Sequence, residues 1–236
     1  MVFIADTSER GGGCRRGHRI EPKGTKLVQT TSLSIPAGCE SEQIVHSRSS
    51  EVLAYEHEGQ RWFLKIYRYE SWKARLRGAF RNTFLAPSRA AREDRALRHL
   101  AASGVQPGLA GGYSEQRCLG LLREARLLSR GFGQLDLAQR LRQGPLDAAE
   151  LGSLAEFLAA LFDSGLRDQD LLARNLLLDT DQRRWAKIDA SSSWILRRPL
   201  RCAERQNDLA ALLRELAAAG QNPAQLAELK ARACRC

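Results

Sequence analysis

Asp170-Leu171-Leu172-Ala173-Arg174-Asn175, followed by Leu176-Leu177-Leu178, the polar run Asp179 to Arg184 and then Trp185-Ala186-Lys187-Ile188-Asp189, is the stretch that decides how this chain is read. Two short apolar runs around a turn-rich segment describe an extended hairpin. Asp170 and Asn175 stand before the hairpin and Asp189 at its far end. One loop and one hairpin therefore bring two oxygen donors, the Asn175 amide and the Asp189 carboxylate, near each other and leave the Asp170 carboxylate beside them.

That register is the one used for phosphoryl transfer on the protein-kinase plan. One Asp orients the acceptor hydroxyl, an Asn five residues later binds metal, and a second Asp beyond the hairpin binds metal as well. Taken singly, Asp170 reads as a cap and Asp179, Asp181 and Asp189 as turn or surface residues. Their spacing together, with an apolar helix ending just upstream at Leu161 to Leu166, favours chemistry.

Upstream, Ile44-Val45, Val52 to Tyr55 and Trp62 to Tyr67 are three β-rich runs separated by Ser47 to Ser50 and by Glu58-Gly59-Gln60, the pattern of an antiparallel meander. Lys65 falls inside the third run, where a buried ammonium needs a partner or a phosphate. Glu93, in the helix expected after Ser88, can be that partner; otherwise Lys65 snorkels and Glu93 is solvated. The Ser47 to Ser50 turn, with Ser49 in it, offers backbone N–H groups to a phosphate or is an ordinary hairpin turn.

Between the lysine run and the glutamate helix, Trp72, Leu76, Phe80 and Phe84 recur every fourth residue among Lys73, Arg75, Arg77 and Arg81, which predicts a basic amphipathic helix ended by Pro87. Gly111 to Ala125 reads as one more hairpin. Asp136 caps a short helix through Leu141, and Asp147 caps a long one with Leu151, Leu154, Leu158 and Leu161 on one face; helices around Leu209 to Leu216 and Leu226 to Leu229 close the chain. Strands with one helix first and helices around a hairpin afterwards give an α+β class: a bilobal protein-kinase-like fold with a small antiparallel-sheet N-lobe and a mainly helical C-lobe. The expected divisions are a loose arm over residues 1–40, an N-lobe over 41–125 with the basic insertion, and a C-lobe over 126–236 carrying the catalytic loop.

The 236 residues suffice for one such unit. A formal charge of +10 favours an anionic partner. Eleven Lys or Arg against three acids between Arg61 and Arg98 supply +8 of it, on a helix that suits an anionic membrane surface or, equally, packs its aromatic face onto the lobe. No run approaches the roughly 20 apolar residues of a membrane span, and Met1 to Ile4 is too short for a signal sequence, so a cytoplasmic protein is expected, peripheral at most. The six scattered cysteines read as reduced thiols.

The run Glu70-Ser71-Trp72-Lys73 through Phe80-Arg81-Asn82 and Ser88-Arg89-Ala90 to Arg92-Glu93-Asp94-Arg95-Ala96-Leu97-Arg98-His99-Leu100 resembles the lipopolysaccharide kinases of the Kdo/WaaP type. So do Leu122-Arg123-Glu124-Ala125, Leu135-Asp136-Leu137, Asp170 to Asp179, Ile188-Asp189 and Asn207-Asp208-Leu209-Ala210. The resemblance implies a kinase that uses ATP and Mg²⁺ on an inner-core sugar, heptose or Kdo, of a lipid A-linked acceptor at the cytoplasmic face of the inner membrane. Lys65 would contact the ATP phosphates with Ser49, Glu124 and Ala125 also at the nucleotide; Glu93 would hold Lys65; Asp170 would be the catalytic carboxylate; Asn175 and Asp189 would bind the metal; and Asp208 would brace the catalytic loop.

Two departures are visible: Asp168-Gln169 stands where family members usually have His-Arg, and Phe162 stands where the preceding helix often carries a His. Two rivals share the fold, a small-molecule kinase of the aminoglycoside or choline type, which the basic stretch disfavours, and a non-catalytic module at the membrane surface. Nucleic acid is not expected as a partner.

Overall fold

The structure, a computed structural model, describes residues 33–46, 50–69, 86–118, 120–133 and 135–235. The expected basic helix and Ser49 lie outside these residues. β1 (Ser41–His46), β2 (Ser50–His57) and β3 (Gln60–Arg68) form the expected meander, joined by β4 (Ala110–Cys118) and β5 (Leu121–Arg130) in an antiparallel sheet of order β1-β2-β3-β5-β4.

Side-chain alternation on β3 assigns its two faces. Leu64 and Ile66 join Tyr55 on one face, where Leu33, Ile35 and Cys39 pack against them. The end of the expected loose arm is thus part of the fold, and Arg126 Nη1 donates to the Leu33 carbonyl at 2.6 Å. Lys65 and Tyr67 point to the other face, toward α1 (Arg89–Ala102). Ser88 caps α1 by accepting from the Ala91 N–H at 3.0 Å, and Ala90, Glu93, Ala96, Leu97 and Leu100 are buried along it.

β5 continues to Arg130, beyond the lobe boundary expected at 125. β6 (Leu135–Asp136) leads into α2 (Leu137–Leu141) and then α3 (Ala148–Asp163); Asp136 and Asp147 close the capping boxes of these two helices with Gln139 and Glu150. β7 (Leu166–Arg167) and a 3-10 turn (Ala173–Asn175) precede β8 (Leu176–Asp179) and β9 (Arg184–Lys187), the hairpin read from the sequence; β6 pairs with β8, and β7 with β10 (Trp194–Ile195). α4 (Cys202–Ala218) and α5 (Pro223–Ala233) complete the lobe.

Leu154, Leu158 and Leu161 of α3 meet Leu209, Leu212 and Leu216 of α4 and Leu171 and Leu176 beside the hairpin in the main core. The loop before β8 is therefore seated on the largest apolar cluster among the described residues, which is how a short loop is kept in one conformation. The cysteines depart from expectation: Cys39, Cys118 and Cys234 are free, but Cys202 is disulfide-bonded.

Leu158 is fully buried, so Leu158→Ala is expected to lower stability by about 2–5 kcal/mol, read as a shifted midpoint at unchanged slope in urea unfolding.

Candidate active site

Glu93 is 1% exposed, too deep for an unpaired carboxylate. Its Oε1 takes the Lys65 ammonium at 2.7 Å and the Asp189 backbone N–H at 3.1 Å, and its Oε2 accepts from the Tyr67 hydroxyl at 3.3 Å. One carboxylate from α1 thus ties together β3 and the segment following β9. Lys65 Nζ also lies 4.0 Å from Asp189 Oδ1. Burial alone would push the Lys65 ammonium down, but the Glu93 and Asp189 carboxylates outweigh it and hold its pKa above the usual lysine value. Burial, reinforced by the same two carboxylates, pushes the Tyr67 hydroxyl well up, so it remains a donor.

Asp189 has φ of 53°, in the left-handed region that Asp enters more readily than most residues. This turn aims its N–H at Glu93 and leaves its side chain half exposed. The other half of the site is the loop before β8. Asn175 is buried; its Nδ2 donates to the Asp170 carbonyl at 3.0 Å, which commits the amide nitrogen and leaves Oδ1 as an acceptor. The Asn175 carbonyl accepts from the Ile188 N–H at 2.9 Å, so Asn175 and Asp189 are held on adjoining backbone. Asp170 is exposed, and its Oδ2 accepts from the Ser192 hydroxyl at 2.9 Å. The structure therefore brings Lys65, Glu93 and Asp189 together, and links Asn175 to both Asp170 and Ile188.

Behind the loop, Asp208 Oδ2 on α4 accepts from the Asp168 N–H at 2.9 Å, and Glu215 Oε2 from the Ala173 N–H at 2.6 Å. Burial raises the Asp208 pKa against the pull of the Asp168 N–H and Arg167. The Asp208 brace was legible in the sequence; Glu215 and Ser192 were not, because an acid or a serine on a polar helix face or loop has no distinguishing spacing.

Beside this constellation is a cavity of about 670 Å³, lined by Lys65 and Glu93, by Val52, Phe63, Leu97, Leu109, Leu177 and Ile188, and by the Ser129–Gly133 strand end. The expectation for Glu124 and Ala125 needs correction: neither lines the cavity. Glu124 pairs with Arg126 at 2.6 Å, and Ala125 is buried with Tyr67, Ala90, Leu122 and Leu127. The return strand is longer than the sequence suggested, so the polar edge next to the cavity lies at Ser129 to Gly133. Gly133 has φ of 65°, and a Cβ there would collide with the Leu178 carbonyl.

A sequence model of the lipopolysaccharide kinase (Kdo/WaaP) family matches residues 41–232. The chain belongs to this family. Its members are kinases, so the protein is a phosphotransferase of lipopolysaccharide synthesis. No curated protein matches the chain in sequence. Among solved structures, "WaaP in complex with acyl carrier protein" is similar in fold at TM-score 0.61 and 19% identity, over 84% of this chain and 80% of that one.

Lys65→Met would strand the Glu93 carboxylate, and a loss of roughly 3–5 kcal/mol in denaturant unfolding is expected. The raised Lys65 pKa means that the stability from this pair is fully present below the ordinary lysine value of 10.5 and is lost only as pH rises through the folded value. Unfolding followed from pH 6 to 9 should therefore show no weakening that disappears in Lys65→Met.

Proposed function

We propose that this kinase transfers the γ-phosphoryl group of ATP, with Mg²⁺, to a hydroxyl of a lipopolysaccharide inner-core sugar, heptose or Kdo. The observation that carries the reading is the joining of Lys65 to Asp189 through Glu93, with the Asp170–Asn175 loop hydrogen-bonded to the residue before Asp189. The apolar walls of the cavity, Val52, Phe63, Leu97 and Leu177, suit a purine, and Lys65 at its edge suits the phosphates.

The donors fit magnesium. Asn175 Oδ1 and the Asp189 carboxylate are hard oxygen ligands. Magnesium commonly takes one or two ligands from the protein and the rest from phosphate and water. When bound there, magnesium would offset the phosphate charge. Lys65, charged and fixed by Glu93, orients the phosphates without a reorganisation cost. Asp170 keeps one carboxylate oxygen on Ser192, leaving the other to orient an acceptor hydroxyl and take its proton.

The family and the positive charge of the chain, which suits phosphorylated, lipid-linked sugars, support this acceptor. No helix among the described residues is long and apolar enough to cross a membrane. The proposal places the protein at the cytoplasmic face of the inner membrane as a peripheral enzyme.

Purified enzyme with γ-labelled ATP should label lipid A-linked core, and Asp170→Asn should cut that rate by about 10²–10⁴ with the fold intact by circular dichroism. Near-normal turnover in the variant would remove Asp170 from the mechanism. Gly133→Ala should raise KM for ATP more than it lowers kcat, checked by steady-state kinetics, because the clash lies at the cavity wall.

A further inference from the structure

The most deeply buried ion pair among the described residues has no part in the mechanism above. Lys187 Nζ lies 2.9 Å from Asp168 Oδ2, with the two side chains 0% and 1% exposed. Such a pair is a poor source of stability, since removing both charges from water costs about as much as their attraction returns. Its geometry gives it another use. Asp168 Oδ1 accepts from the Asp170 N–H at 3.1 Å, and Lys187 Nζ donates to the carbonyl of Ile188, the residue before Asp189. Each charge therefore grips its partner and also the backbone next to one of the two carboxylates that must face each other across the phosphoryl group.

Both ends are anchored. The Asp168 N–H is held by Asp208, and the Lys187 N–H donates to Gln106 Oε1 at 2.7 Å. The pair also accounts for one departure seen in the sequence: Asp168 occupies the place of an expected His, and a carboxylate buried there needs a cation that a neutral imidazole would not. Lys187, on the adjacent strand, supplies it.

We propose that Asp168 and Lys187 are a positioning pair that fixes the separation of Asp170 from Asp189, and so governs turnover with little effect on nucleotide affinity. This rests on the kinase chemistry proposed above for Asp170 and Asp189. The pair touches neither substrate; it acts through the two backbone segments it joins.

The test compares the parent enzyme with Asp168→Asn, which retains an acceptor for the Asp170 N–H, and with the double variant Asp168→Asn/Lys187→Met, which leaves no unpaired charge in the core. Phosphate transfer to lipid A-linked core, ATP hydrolysis in the absence of acceptor, direct titration with Mg²⁺ and ATP, and thermal midpoint are measured on each. The double variant should remain folded and bind ATP within about threefold of the parent, while kcat falls about 100-fold, the scale of a misplacement of roughly 1 Å at the reacting groups. Asp168→Asn should show the same split between kcat and nucleotide affinity if the double variant does not fold. A folded variant with parental kcat, or one in which affinity falls as far as kcat, would overturn the positioning role. Failure of the underlying reading looks different: a parent that hydrolyses ATP but leaves the core unlabelled refutes the acceptor while the pair is still scored on hydrolysis, and a parent that does neither refutes the chemistry on which the pair depends.

Discussion

A carboxylate sealed from water must be matched by donors, and the way Glu93 is matched determines how the sheet meets the helical lobe. Two of its partners, Lys65 and Tyr67, come from β3, and the third is the backbone of Asp189 beyond β9. Leaving any of these groups unpaired in the interior would cost on the order of 1–3 kcal/mol or more, so the helix cannot rotate or slide without breaking several contacts together. The same contacts place an ammonium and a carboxylate 4.0 Å apart at the rim of the cavity. Fold and site are set by one group.

The loop before β8 is organised differently, from behind. Asp208 and Glu215 on α4 hold its backbone, Leu171 and Ala173 sink into the main core, and the Asn175 amide closes the loop on the Asp170 carbonyl. Main-chain groups are used up internally, while the Asp170 carboxylate and Asn175 Oδ1 stay available. This division suits preorganisation: the groups that would meet substrate pay little to reach their working positions.

Much of this was legible in the sequence because it rests on local spacing. Two-residue alternation places Lys65 opposite Leu64 and Ile66, helical periodicity puts Leu154, Leu158 and Leu161 on one face, and the caps at Ser88, Asp136 and Asp147 announce their helices. Asp170, Asn175 and Asp189 were singled out because a loop and a hairpin have fixed lengths. What escaped depends on distant pairing. The extent of β5 is set by its match to β3 through Trp62–Arg130, which moved the cavity edge from Glu124–Ala125 to Ser129–Gly133. Leu33 and Ile35 look like part of a loose arm until the outer face of the sheet gives them a surface. Lys187 stands in the sequence only as part of the run leading to Asp189, and only the structure shows the carboxylate that pairs with it.

The central claim is that Glu93 assembles one nucleotide site from Lys65 and Asp189, with Asn175 alongside. A crystal structure of the protein with Mg²⁺ and a non-hydrolysable ATP analogue tests it most directly. The account requires the triphosphate at Lys65, the metal on Asn175 and Asp189, and the Lys65–Glu93 pair intact. A nucleotide bound elsewhere, or a bound state in which Lys65 has left Glu93 and the metal touches neither ligand, would contradict it.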